Sequence, residues 1–119
     1  MQAIRGTWVC ATLVLLSVPA AAHHSTAMYD LEKTVTLKGT IKAFHWTNPH
    51  CSIDLFVPGA NGEERWVIQL GPPTTLYRED WKPLMYKPGD SMTALVHPMR
   101  DGTHRGLFIS GTGADGKPK

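Results

Sequence analysis

Six histidines carry most of the chemistry open to this sequence. His23 and His24 follow directly on the Ala20-Ala21-Ala22 run. His45 and His50 flank Trp46-Thr47-Asn48-Pro49, and His97 and His104 bracket a second Pro- and Gly-containing stretch that starts Pro98-Met99-Arg100-Asp101. A histidine at a free N-terminus offers its α-amino nitrogen and its own Nδ1 as a chelate to one metal ion. A second imidazole completes a T-shaped set of nitrogens, which suits the tetragonal preference of copper(II). The α-amino group titrates near a pKa of about 7.7–8.0, so the metal displaces a loosely held proton.

That chemistry requires a processed chain, and residues 1–22 read as a secretory signal peptide. Arg5 supplies a short positive start, Trp8 to Val18 are almost wholly apolar, and Pro19 precedes the small residues of an Ala-x-Ala site. The apolar run is shorter than the roughly 20 residues a membrane-spanning helix needs. Cleavage after Ala22 makes His23 the first residue. Cleavage after Ala20 makes it the third, where the amine, two backbone amides and the imidazole form a square-planar copper(II) site. Either register gives a copper-competent end, and either places the protein in a periplasm or outside the cell. The cut also removes Cys10, leaving Cys51 alone, so no intrachain disulfide is expected and Cys51 reads as a small buried hydrophobe.

Composition narrows the remaining classes. The chain has 119 residues, enough for one domain, with 42% hydrophobic and 18% charged residues. A formal charge of +2, lowered by one when Arg5 is removed, gives no electrostatic footprint for nucleic acid or an acidic membrane. No nucleophile elbow, zinc-protease helix, phosphate-cradling glycine loop or Cys-x-x-Cys pair is present, so an enzyme is not expected.

The elements that must position these residues follow from hydrophobic alternation. Val35, Leu37, Gly39, Ile41 and Ala43 alternate with Thr36, Lys38, Thr40 and Lys42. Cys51, Ile53, Leu55 and Val57 do so after the Asn48-Pro49 turn, and Trp66, Ile68 and Leu70 after the Pro58–Gly62 hairpin. Gly71-Pro72-Pro73 ends the third strand. A short helix is expected from a Thr74 or Thr75 cap to Asp80 or Trp81, with Tyr77 and Trp81 on one face. Met92, Ala94 and Val96 mark a fourth strand and Leu107 to Ser110 a fifth. The order β-β-β-α-β-β predicts an all-β fold with one short helix, a five-stranded OB-like Greek-key barrel. Its expected extent is residues 34–110, with an N-terminal arm over 23–33 and a flexible tail over 111–119.

In such a barrel the connection between strands one and two and that between strands four and five lie on the ligand side. Topology could therefore gather His45, His50, His97 and His104. If Cys51, Ile53 and Leu55 face the core, alternation turns His50 away from it. Met28 and Met99 are candidate thioether ligands for copper(I). Trp46, Trp66 and Trp81 read as core and lid rather than a binding surface, and Asp54, Glu63 and Glu64 as exposed strand and hairpin positions. A non-metal alternative uses the same loops: Trp46, Asn48, His50, Arg100 and Asp101 would hold a small ligand or a partner protein by stacking and hydrogen bonds.

Several segments together resemble one family pattern. They are His23-His24-Ser25, Asp30, Thr36-Leu37-Lys38-Gly39-Thr40, Trp46-x-Asn48-Pro49-His50, Trp66, Leu76, Trp81, Lys87-Pro88-Gly89-Asp90 and Pro98-x-Arg100-Asp101-Gly102. The pattern is similar to small exported bacterial proteins known only as a domain of unknown function. The resemblance implies export and a single small β-domain, and it brings no activity or ligand. His23, His24 and His50 fall on the pattern, while His45, His97 and His104 do not. The expected metal donors are therefore His23, His24 and His50, with copper favoured.

Overall fold

A computed structural model describes residues 26–113; the expected signal peptide, His23, His24 and most of the expected tail lie outside the described residues. Five strands and one helix follow in the expected order: β1 (Val35–His45), β2 (Ser52–Gly59), β3 (Gly62–Gln69), α1 (Pro73–Arg78), β4 (Ser91–Pro98) and β5 (Arg105–Thr112). They close into a barrel with the neighbour order β1-β2-β3-β5-β4, which is the OB-like arrangement. Among the described residues no helix is long and apolar enough to cross a membrane.

Closure rests on β1 serving two partners. Its first half pairs antiparallel with β4, from Val35 opposite Val96 to Thr40 opposite Ser91. Its second half pairs with β2, from Thr40 opposite Phe56 to His45 opposite Ser52, with a register shift at Lys42. Gly39 sits just before this change of partner. A Cβ there would collide with the Phe56 carbonyl oxygen and lie 2.8 Å from its carbon, so the backbones can approach this closely only without a side chain. The last seam joins β3 to β5 in parallel, through Val67, Ile68 and Gln69 opposite Arg105, Gly106 and Leu107.

The inward faces fill the barrel as the alternation requires. Leu37, Ile41, Ile53, Leu55, Ile68, Met92, Ala94 and Val96 form its core, with Cys51 buried among them. Leu70, Leu76, Trp81 and Tyr86 continue that core, and Phe44, Trp46 and Phe108 pack against it. Trp81 meets Phe44, Tyr86 and Phe108 at centroid distances of 6.2, 5.8 and 5.4 Å.

The helix differs from expectation at both ends. It starts at Pro73, after Pro72 and with no side-chain cap, so Thr74 and Thr75 are helical residues rather than caps. It stops at Arg78, before Trp81, because Asp80 adopts a left-handed φ of 64°. The Trp81 amide then donates to Leu76 O at 3.0 Å and the Asp80 amide to Tyr77 O at 3.3 Å, the paired bonds of a Schellman ending. This reversal separates the two aromatics expected on one face: Trp81 is 2% exposed in the core, and Tyr77 is 49% exposed against Trp46. At the other end of the domain, Gly111 and Thr112, expected in the tail, belong to β5 and pair with Ala94 and Thr93.

Gly39→Ala is expected to lower unfolding free energy by about 1–3 kcal/mol, since relief requires a backbone shift in two strands at once. Asp80→Gly is expected to raise it by up to about 1 kcal/mol by removing the Cβ penalty of the left-handed residue. Urea unfolding midpoints at constant slope measure both changes.

Candidate functional site

The β1–β2 loop is anchored at its base. The Cys51 amide donates to Gly71 O at 3.0 Å and the Leu70 amide to Cys51 O at 2.9 Å, while the Thr47 hydroxyl donates to His50 O at 3.2 Å. The turn includes a cis Asn48–Pro49 bond. With Cys51 buried inward, alternation sends His50 outward, as the sequence predicts. There it borders two adjoining clefts. The smaller, about 250 Å³, is bounded by Thr47, Asn48, Ser52, Gln69 and Arg105 with His50. The larger, about 530 Å³, runs from His50 and Gln69 past Thr75, Glu79, Trp81 and Phe108, and Thr26 lies on its lining.

Thr26 reaches that cleft because the arm is pinned along the β4–β5 loop. Tyr29 is 0% exposed, pairs across an antiparallel bridge with Met99, and donates its hydroxyl to Gln69 Oε1 at 3.1 Å. Burial pushes the Tyr29 phenol up, with Arg105 opposing. On either side, the Asp30 amide donates to Pro98 O at 2.8 Å and the Arg100 amide to Met28 O at 3.0 Å. His97 donates from Nδ1 to Lys33 O at 2.8 Å. The Asp30 carboxylate lies 3.3 Å from Lys33 Nζ and 3.8 Å from Arg100 Nη1. Desolvation acts to raise its pKa, but the Lys33 and Arg100 charges and the Glu32 amide outweigh it and hold the carboxyl below its ordinary value. Asp101 is also held low, by the Thr103 amide at 3.0 Å and the Thr103 hydroxyl at 2.7 Å.

The four loop histidines do not gather. His45 Nε2 lies 3.4 Å from Asp54 Oδ2, and His104 lies 3.7 Å from Glu64 while its ring stacks on Trp66 at 4.9 Å. His97 is held by the Lys33 carbonyl, and His50 borders the clefts. Among the described residues no group of three or more His, Cys, Asp and Glu is placed to hold a metal ion. His45, His97 and His104 are each held by a separate local partner, and His50 stands apart from them at the clefts. Of the expected metal donors, His50 is placed at the clefts; His23 and His24 lie outside the described residues.

The other expected positions divide in the same way. Asn48 joins His50 on the smaller cleft. Trp46 packs on Phe44 and Tyr77 at 5.8 and 4.9 Å. Arg100 is engaged with the arm and Asp101 with its own turn. Met28 is half exposed, and Met99 is bridged to Tyr29. Burial raises the Cys51 thiol, keeping it protonated and unreactive. Asp54, expected to be exposed, is only 8% exposed and accepts from Arg65 Nη2 at 2.7 Å. Gln69, Arg105, Ser52 and Tyr29 join the clefts or their supports without a motif in the sequence. Ser52 was legible in principle, because it alternates with buried Ile53; the other three needed strand register or the course of the arm.

The chain belongs to the family of unknown function DUF6152, whose family model matches residues 11–109. No curated protein and no solved structure matches it.

Because the Asp30 carboxyl is held below its ordinary value, its contribution to arm docking is complete at neutral pH and is lost as pH falls below about 4. Asp30→Asn is expected to loosen the arm at pH 7, and its difference from the wild type is expected to vanish as Asp30 becomes protonated in acid. Amide chemical shifts of Tyr29 and Arg100, followed from pH 7 to 2, measure both.

Proposed function

We propose that this member of the family is an exported metal-binding protein that takes copper at its processed N-terminus. The His23 amine and imidazole, with His24 and His50, are the nitrogen donors. Its place is the periplasm or the extracellular space after cleavage at Ala22, and its role is binding rather than turnover.

The observation that carries this reading is that Thr26 and His50 line one cleft. Extended chain covers at most about 3.3–3.6 Å per residue, so the step from Thr26 back to His23 is about 11 Å at most. The pinned Tyr29 and Asp30 anchor the arm, and Thr26 lies on the cleft that His50 also lines, which lowers the chain entropy opposing the approach of the terminal nitrogens to the imidazole. Neutral imidazole and a deprotonated amine are the donors copper(II) prefers, and half-exposed Met28 offers a softer ligand near the same end on reduction. The family match spans His23, His24 and His50 alike.

The test is a copper(II) EPR titration of secreted, processed protein whose N-terminus has been fixed by intact mass. One equivalent should give a single axial signal with nitrogen hyperfine lines. One alanine added before His23 should abolish that signal, and His50→Ala should change its hyperfine pattern. Weak, heterogeneous binding that ignores the added alanine would overturn the proposal.

A further inference from the structure

The smaller cleft differs in chemistry from the larger one. Its polar lining residues are Arg105, Asn48, Gln69, Thr47, Ser52 and His50, with no Asp or Glu among them. Arg105 forms no ion pair among the described residues. Asp101, whose carboxylate senses the Arg105 charge, is committed to the amide and hydroxyl of Thr103. Asp54, on the same outward face as Ser52, is held by Arg65 at 2.7 Å. Gln69 adds an independent sign. Its Oε1 accepts from the Tyr29 hydroxyl, which fixes the amide, and its Nε2 is buried with no acceptor among the described groups. A buried donor left unsatisfied is costly, which marks Gln69 as a group short of an acceptor.

From this arrangement we infer that the smaller cleft is a binding site for a small oxyanion, the carboxylate or phosphate group of a free small molecule. Arg105 supplies the charge and a planar fork that meets two oxygens at once. Asn48 and Ser52 supply neutral donors around it, and Gln69, whose buried Nε2 has no acceptor among the described groups, lines the same cleft. The volume, about 250 Å³, lies just below the usual range for drug-sized ligands, so the site fits an anion of a few heavy atoms and excludes a nucleotide. Its position, on the outward face of β2 and β3 beside the β1–β2 loop, is the side from which OB barrels take ligands. The site requires neither His23 nor a metal. It meets the proposed copper site only at His50, which borders both clefts.

The test uses metal-free processed protein at constant ionic strength, titrated separately with inorganic phosphate, acetate and succinate. Two-dimensional ¹⁵N spectra are set to include the arginine Nε–H and the glutamine side-chain amides. At least one probe should produce saturable shifts of the Gln69 side-chain amide and the Arg105 Nε–H. Arg105→Gln, at an exposed position and checked for an unchanged fold by its amide spectrum, should weaken that binding about tenfold or more. An alanine added before His23 should leave it unchanged, which separates this site from the copper reading. Non-saturable shifts scattered over surface lysines and arginines with every probe would overturn the inference. So would saturable binding that Arg105→Gln does not weaken. Saturation by phosphate alone identifies a phosphoryl ligand, and saturation by acetate or succinate a carboxylate; either supports the site.

Discussion

The close passage of β1 over β2 at Gly39 is the constraint on which the domain depends. One strand of eleven residues pairs with β4 along its first half and with β2 along its second, and this makes five short strands a closed barrel instead of an open sheet. Closure removes edges that so small a domain could not otherwise cover. It also fixes where the last seam must form. β5 meets β3 in parallel over only three residue pairs, so the start of β5 is delivered beside the end of β3. The β1–β2 loop is hydrogen-bonded to that same end through Cys51, Leu70 and Gly71. Four segments far apart in sequence thus meet around Gln69: the arm through Tyr29, the loop through His50, the end of β3, and Arg105 at the head of β5.

The barrel was legible because its signals are local. Strands β1, β2 and β4 show their alternation in the residues themselves, and the Pro58–Gly62 turn supplies Gly62 at a φ of 111° where the hairpin requires it. The helix start was half legible: Pro73 marks it, but the Thr pair invites a cap that the chain does not use. The helix end was obscured because its left-handed residue is Asp80 rather than glycine, so the reversal that buries Trp81 had no sequence signal. Gly111 and Thr112 read as tail for a similar reason, since glycine-rich sequence looks loose until its partner strand is known.

The site was less legible, because burial outside the periodic segments depends on tertiary contacts. Tyr29 is an isolated aromatic in an aperiodic arm, and nothing around it announces that it is fully buried. Asp54 sits between two core residues, and alternation correctly places it on the outer face. That face is nevertheless covered there, because Arg65 from the next strand lies across it. The histidines misled in the opposite direction. Loop topology puts them at related ends of the barrel, but His45, His97 and His104 are satisfied separately, by a carboxylate, a carbonyl or an indole face, and only His50 lines the clefts.

Net charge conceals the property that matters at the clefts. Over the described surface most acids near the site already have a basic partner: Asp30 with Lys33 and Arg100, Asp54 with Arg65 and His45, Glu64 with His104. Around Arg105 this pairing stops, and the smaller cleft is lined by no Asp or Glu. A chain close to neutral overall can therefore present a local cation without an ion-pair partner among the described residues, set beside neutral hydrogen-bonding side chains. His50 belongs to this pocket and to the larger cleft through the strand alternation of its neighbour. Cys51 must point into the core, and its neighbour on the strand entrance is thereby turned out at the point where the clefts meet. A substitution that draws residue 51 out of the core would move His50 away from both clefts together, so the burial of a thiol with no reactive role sets the placement of the imidazole.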